Sequence, residues 1–408
     1  MKRIYLDYAS LTPIDPRVTS EMKKYASFEY GNPSSLYKEG VAAKKVLADG
    51  RQKVADYLNS HPDEIVFTSG GTEANNLAIE GVVRAFVKAE KERSKEGNIE
   101  RPHIIISSIE HSSIIETVNR LEKFGCDGIK CEVTKLSVNQ AGVISLDELK
   151  KSIKLNTVLV SIMMVNNEIG SIQPIKEIAK IIRQICRNRI GPTSDRSDLY
   201  KQYPLLHTDA AQALYEEINM NNLGVDLITL DGSKVCGPRG VGALYVKRTV
   251  TDNGLIEPII VGGGQEKGLR SGTENLPSIM GFAKALELVK KERDFSQLKT
   301  SDLRDMLRDG LKKISSDIII NGQESPHILN ISIPDIDNEF FLFQLDAEGI
   351  ACSTKSSCLR DADESYVLKS IGADSKTSLR FSFGRFTKKG DIKKVLKIIS
   401  RLLSKTLA

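Results

Sequence analysis

Between residue 60 and about 260, short and nearly continuous apolar runs alternate with longer stretches of helical period, a pattern that predicts a mostly parallel sheet covered by helices. The runs Glu64 to Thr68, His103 to Ser107, Thr157 to Met163, Leu205 to His207, Asp226 to Leu230 and Gly242 to Val246 are the expected strands. They read as Val, Ile and Leu without alternation because a parallel strand is buried on both faces. Glu73 to Glu90, Ser112 to Phe124 and Pro174 to Ile185 are the expected helices, and Pro174 suits a first helical position. Lys88 to Pro102 and Arg187 to Tyr203 carry too few apolar residues to bury anything and read as solvated insertions. After Gly262-Gly263-Gly264 the character changes to two long helices, Leu276 to Arg293 and Ser296 to Ile314, followed by an apolar strand pair near Ile318 and Ile331. The expected fold class is therefore α/β, a three-layer α/β/α domain over residues 15–264 with a smaller α+β domain formed by 1–14 and 265–408.

Composition narrows the function classes. In 408 residues, 58 basic side chains against 53 acidic ones leave a formal charge of +5, too weak a field to favour nucleic acid or an anionic membrane. The longest apolar run, Val158 to Val165, is interrupted by Ser161 and falls well short of the roughly 20 residues of a membrane span. Lys2 and Arg3 lead directly into Tyr5, Asp7 and Tyr8, with no apolar stretch for a secretory signal. The six cysteines, at 126, 131, 186, 236, 352 and 358, include no pair separated by two residues, so neither a zinc site nor a redox pair is expected. Free thiols in a reducing cytoplasm fit this usage.

In an open α/β sheet, ligands bind beyond the carboxyl ends of the strands. After the first predicted strand comes Ser69-Gly70-Gly71-Thr72-Glu73, where backbone amides and a helix dipole could hold a phosphate, or which could be a simple turn. It lacks the GK[ST] of a nucleotide P-loop. Glu110-His111, Asp209 with Gln212, and Lys234 follow three further strands. Singly, each has an ordinary reading as a surface histidine, a helix cap or a solvated lysine. Together, an anion cradle, an imidazole, a carboxylate and a lysine at successive strand ends are what pyridoxal 5'-phosphate requires: a phosphate cradle, a partner for the pyridinium nitrogen and an amine for a Schiff base. Gly232 and Gly237-Pro238 around Lys234 would let backbone approach a cofactor closely.

These residues stand in YLDYASLTPIDPRV (5–18), GNPSS (31–35), EIVFTSGGTEANNLAI (64–79), EHSSI (110–114), LVSIMMVNNEIG (159–170), HTDAAQ (207–212), GSKVCGPRGVGALYV (232–246), RSGTEN (270–275) and SLRFSFGRFT (378–387). In this order, over nearly the whole chain, they resemble the pyridoxal-phosphate-dependent cysteine desulfurases of the class V aminotransferase superfamily that serve iron–sulfur cluster assembly, proteins of fold type I. The resemblance implies that Lys234 forms the Schiff base, Asp209 pairs with the pyridine nitrogen, Gln212 bonds the ring hydroxyl, and His111 stacks on the ring and handles protons. It implies that Gly71, Thr72 and Ser233 take part in binding the phosphate, helped by Thr273 from a partner subunit of a homodimer. Asn167, at the cofactor, and Arg380 would hold the substrate carboxylate with Asn32 nearby, since a guanidinium fork matches that group bidentately. The sulfur-accepting residue would be Cys358, on a loop of the smaller domain, with L-cysteine as substrate and a sulfur-acceptor protein of cluster assembly or tRNA thiolation as partner.

Cys358 lies among Ser357, Lys355 and Arg360, an electropositive setting that favours thiolate. Cys352 follows the strand-like Gly349-Ile350-Ala351 and reads as a small buried hydrophobe, and Cys236 is a second candidate thiol or buried filler. Three departures stand out. Relatives carry Ser-x-His-Lys where this chain has Asp231-Gly232-Ser233-Lys234, Leu11 replaces a Thr, and the stretch from Cys358 to Arg380 is several residues shorter. A carboxylate about 4 Å from a phosphate costs on the order of 4 kcal/mol at an effective dielectric near 20, so Asp231 is expected to turn away or to be compensated by a cation. Alternatives on the same fold are a selenocysteine lyase or an aminotransferase, and in another class a cofactor-free scaffold.

Overall fold

The apolar runs assemble, in a computed structural model that describes residues 3–27, 30–94, 99–189, 202–213, 216–322, 325–354 and 364–406, into a seven-stranded and a three-stranded sheet joined by a long helix, with a two-stranded pair beside them. After a two-residue strand β1 (Ile4–Tyr5), the large sheet is built from β2 (Ile65–Thr68), β3 (His103–Ser107), β4 (Glu132–Leu136), β5 (Thr157–Ser161), β6 (Leu205–Asp209), β7 (Leu227–Asp231) and β8 (Gly242–Val246). Their spatial order is β2-β8-β7-β6-β5-β3-β4. All run parallel except β8, which lies antiparallel between β2 and β7.

Both faces of this sheet are covered. Ile104 and Ile106 point to the side of the helices Gly71–Arg93 and Ser112–Phe124, together with Leu205, Leu227 and Leu244. The alternate residues Ile105, Leu206, Ile228 and Ala243 meet Lys38–Leu58, Ile175–Arg189 and the first half of the long helix. Period-two alternation thus sends adjacent apolar residues into opposite layers, which is why these strands carry no polar face.

The α/β class is as expected, and the differences have physical causes. Strand β4, absent from the reading of apolar runs, is an edge strand whose residues are half-buried or exposed until Leu136, so it needs no Val/Ile run. The two expected helices after residue 275 are one, Leu276–Ile314, because Asp294-Phe295-Ser296 contains neither Gly nor Pro to break it. Its 39 residues span about 58 Å at roughly 1.5 Å per residue. Tyr203, placed in a solvated insertion by sequence, is buried edge-on against Phe86 at 5.6 Å between ring centroids. Lys88 to Arg93 extend the helix that begins at Gly71.

The second sheet is antiparallel, β9 (Ile319–Asn321), β10 (Ile328–Ser332) and β12 (Ser378–Ser382) in the order β12-β10-β9. Strand β11 (Ile350–Ala351) pairs in parallel with β1. Leu276, Phe282 and Leu286 of the long helix pack into the core of the large sheet, while its Leu303, Leu307 and Leu311 join Ile331, Phe381, Ile4 and Leu6 in the second core.

A buried carboxylate ties these parts together. Asp15 accepts hydrogen bonds from the Arg17 backbone and guanidinium and from Arg385, and both arginines also reach Glu292 on the long helix. The two guanidiniums hold the Asp15 carboxyl well below the usual carboxylate range. Replacing Asp15 by Ala leaves two arginines short of a partner and should cost about 3 kcal/mol in urea unfolding. Because the folded-state pKa is depressed, the stabilisation is complete above the unfolded value of about 3.9 and fades as pH falls through the lower folded value. Wild type and Asp15→Ala should therefore converge in stability only in strong acid.

Candidate functional site

The carboxyl ends of β6 and β7 and the turns after β2, β3 and β5 open on one cavity of about 160 Å³, lined among others by Gly71, Thr72, His111, Asn167, Asp209, Gln212, Lys234 and Arg380. One wall is the glycine turn. Gly70 has φ +149, a region open to glycine, and leads into the helix that starts at Gly71. Gly242 of β8 passes so close behind it that a Cβ there would stand 2.8 Å from Gly70 Cα. The helix therefore starts at the edge of the cavity, packed closely against the backbone of β8.

Lys234 ends a single 3-10 turn, Gly232–Lys234, at the end of β7. Its ammonium donates to the carbonyls of Ala9 at 3.1 Å and Ser10 at 2.5 Å. The same N-terminal segment grips the lysine turn along its backbone. Thr12 N–H and Oγ1 both donate to Ser233 O, Cys236 N–H donates to Thr12 Oγ1, and Asp15 N–H donates to Cys236 O. Gln212 Nε2 donates to Ala9 O at 2.7 Å, and its Oε1 lies 3.4 Å from His327 Nε2.

Asp209, buried at the end of β6, accepts Asn75 Nδ2–H at 2.8 Å and Ala211 N–H at 2.9 Å. Asn75 Nδ2 also lies 2.9 Å from Ser113 Oγ, and its own Oδ1 is buried without a partner. His111 caps the helix Ser112–Phe124, with Nδ1 accepting Ser113 N–H at 3.2 Å. An Nδ1 that accepts places the proton of the neutral ring on Nε2.

Arg380 arrives from the other sheet, on β12. It is 1% exposed, donates from Nη1 to Asn167 O and from Nη2 to Asp7 Oδ1, both at 2.8 Å, and keeps a buried Nε without a partner among the described residues. A buried guanidinium with donor capacity left over, facing a polar cavity, is built for an anionic group.

Not every expected residue meets here. Thr273 lines a neighbouring cavity of about 150 Å³ with Thr68, Ser69 and Arg270. Asn32 is exposed, its Oδ1 accepting Ser34 N–H at 2.9 Å. Ser233 contributes its backbone N–H to Asp231 Oδ1 at 2.7 Å. Cys358 lies outside the described residues. Cys236 is buried with φ +56 and Cys352 packs against the second core, and burial pushes both thiols up, away from thiolate. Asp231 is placed at the helix start, accepting Gly71 N–H on Oδ2 at 3.0 Å, with no side-chain cation paired to it among the described residues.

Asn75, Ser113 and Asp7 were missed by sequence reasoning. Asn75 could have been found, since three residues beyond Thr72 on a helix places it on the same side. Glu110 was noted only as the neighbour of His111. It is fully buried, accepts Ser107 Oγ–H at 2.5 Å and Met163 N–H at 3.0 Å, and burial pushes its pKa up to about 8.

Over residues 4–395 the chain matches the aminotransferase class-V family. It is 38% identical to the "Cysteine desulfurase IscS" of Dictyoglomus turgidum, across 99% of this chain and 96% of that protein. It is 41% identical to the "Cysteine desulfurase, mitosomal" of Encephalitozoon cuniculi, across 95% and 83%. A solved structure described as a NifS-like protein superposes with a TM-score of 0.84 at 31% identity, covering 98% of this chain and 99% of that one.

The Glu110 environment makes a pH prediction. The folded pKa of about 8 lies above the unfolded value of about 4.3, so between them the folded state holds a proton the unfolded state has lost. Stability should fall as pH rises from 5 to 8 and then level off. Glu110→Gln should flatten that slope in urea unfolding.

Proposed function

The chain belongs to the class-V aminotransferase family and, within it, to the pyridoxal-phosphate-dependent cysteine desulfurases, and from this we infer that it takes sulfur from L-cysteine, releases L-alanine and passes the sulfur through Cys358 to an acceptor protein. The observation that carries this reading is the convergence of Lys234, Asp209, His111 and Arg380 on one cavity from four separate elements.

The donor set fits the cofactor at its ring and its aldehyde. A buried carboxylate steadied by an amide and a backbone N–H suits a pyridinium nitrogen, and a lysine whose amine reaches the cavity suits an imine. The helix start at Gly71 and Thr72 suits a phosphate, with Ser233 beside it. When bound, the group supplies an electron sink that makes the substrate Cα–H acidic.

The residues of the chain do the rest. Arg380, with its remaining Nε–H, binds the substrate carboxylate, and Asn167, whose carbonyl orients that guanidinium, lines the cavity beside it. Gln212 holds the ring hydroxyl. Lys234 removes the Cα proton and returns it, and Asp209 keeps the pyridine nitrogen protonated. His111, as an imidazolium whose Nδ1–H donates to Ser113 Oγ, delivers a proton as the C–S bond breaks and is left as the neutral ring. The Cys358 thiolate attacks the substrate sulfur, so that an S–S bond forms, the Cβ–S bond breaks, and its electron pair goes to the carbon that is protonated to the methyl of alanine.

Iron–sulfur cluster assembly or tRNA thiolation is the destination of the sulfur in this reading. A homodimer, with Thr273 reaching the phosphate of the other subunit's site, is its quaternary form. No helix among the described residues is long and apolar enough to cross a membrane. Cys126, Cys131, Cys236 and Cys352 are free thiols, as a reducing compartment such as the cytoplasm maintains.

Incubation of the cofactor-loaded chain with L-cysteine and a thiol reductant should yield alanine and sulfide in equal amounts. Cys358→Ser should lower sulfide release at least a hundredfold while the spectrum still changes on adding cysteine. Lys234→Ala should lose the imine absorbance. Undiminished turnover by Cys358→Ser would refute the assigned sulfur acceptor.

A further inference from the structure

A helix start holds phosphate through backbone N–H groups and the positive end of its dipole. In this chain one of those groups is already engaged by a carboxylate of the chain itself. Asp231 closes β7 and bridges two amides, taking Ser233 N–H on Oδ1 at 2.7 Å and Gly71 N–H on Oδ2 at 3.0 Å. The contact is close, since a Cβ on Gly71 would stand 3.1 Å from Asp231 Oδ2. Asp231 lines the same cavity as Thr72 and Lys234. Its neighbour at this wall, Ser69 N–H, donates to Glu73 Oε2 at 2.9 Å, and Arg270, a cation on the same side, is paired with Glu73 at 2.9 Å. The phosphate end therefore carries two carboxylates, and its arginine is already neutralised.

We propose that Asp231 is an internal stand-in for the cofactor phosphate, satisfying the helix start in the empty protein and competing with the phosphate for Gly71 N–H during loading. Like charges cannot share that amide, so the carboxylate has to leave or take up a proton before a phosphate settles there. The site consequently favours the phosphate ester over the free aldehyde much less than a cradle without this carboxylate does. The inference rests on the cofactor reading above and concerns only its phosphate end.

The test compares equilibrium binding of pyridoxal 5'-phosphate and of pyridoxal to the full chain stripped of cofactor, in wild type, Asp231→Asn and Asp231→Ser. In both variants the preference for the phosphate ester should rise at least tenfold, with pyridoxal affinity changed less than threefold, and the melting temperature of the empty protein should fall. A smaller rise in preference overturns the inference. Should neither variant fold, wild type decides alone: a preference below a hundredfold supports the stand-in, and a larger one refutes it. Borohydride trapping separates the two levels of argument. If neither ligand is captured on Lys234 in any chain, the cofactor reading falls, whereas capture with an unchanged preference sinks only the role of Asp231.

Discussion

The grip of the N-terminal segment on the lysine turn is the constraint from which the site follows. Lys234 sits on a 3-10 turn of three residues, too short to hold a shape by its own hydrogen bonds. Thr12 and Asp15 supply the missing partners from a segment more than two hundred residues away in sequence, and Ala9 and Ser10 set the position of the ammonium itself. Asp15, anchored by two arginines, fixes where that segment lies. Without this clamp the strand ends would still form, but the amine would lose its place among them.

The cavity also depends on two cores meeting. The wall that bears Asp209, His111 and the glycine turn belongs to the parallel sheet, and the guanidinium opposite belongs to an antiparallel one. Arg380 bridges them, donating to Asn167 on the first side and to Asp7 on the N-terminal segment. Three stretches far apart in the chain thus converge on one buried cation.

The strands on which the site hangs were legible because their burial on both faces leaves an unmistakable run of apolar residues, as at His103 to Ser107 and Gly242 to Val246. The half-exposed edge strand β4 left no such run. The long helix was read as two because a polar stretch at Asp294 to Ser296 looks like a boundary when its neighbours in space are unknown. At the site, Lys234, Asp209, His111 and the glycine turn could be found because each closes or follows a strand. Asn75 and Asp7 act through side chains that meet only after folding, and no local spacing shows that Asp7 faces Arg380. The orientation of Asp231 was illegible for the same reason, since its amide partner lies 160 positions away.

The uninterrupted helix Leu276–Ile314 is a member of both cores, bonded into one by Leu286 and Leu288 and into the other by Leu303 and Leu307. Phe295 and Leu298, between those contacts, are exposed. A beam packed into a core at each end and held in its middle mainly by polar pairs, such as Glu292 with Arg17 and Arg385, transmits torque: rocking of one core against the other would concentrate as curvature between Leu288 and Thr300. Widening or narrowing of the crevice around Arg380 is thereby coupled to the stiffness of a stretch outside the cavity that Arg380 lines.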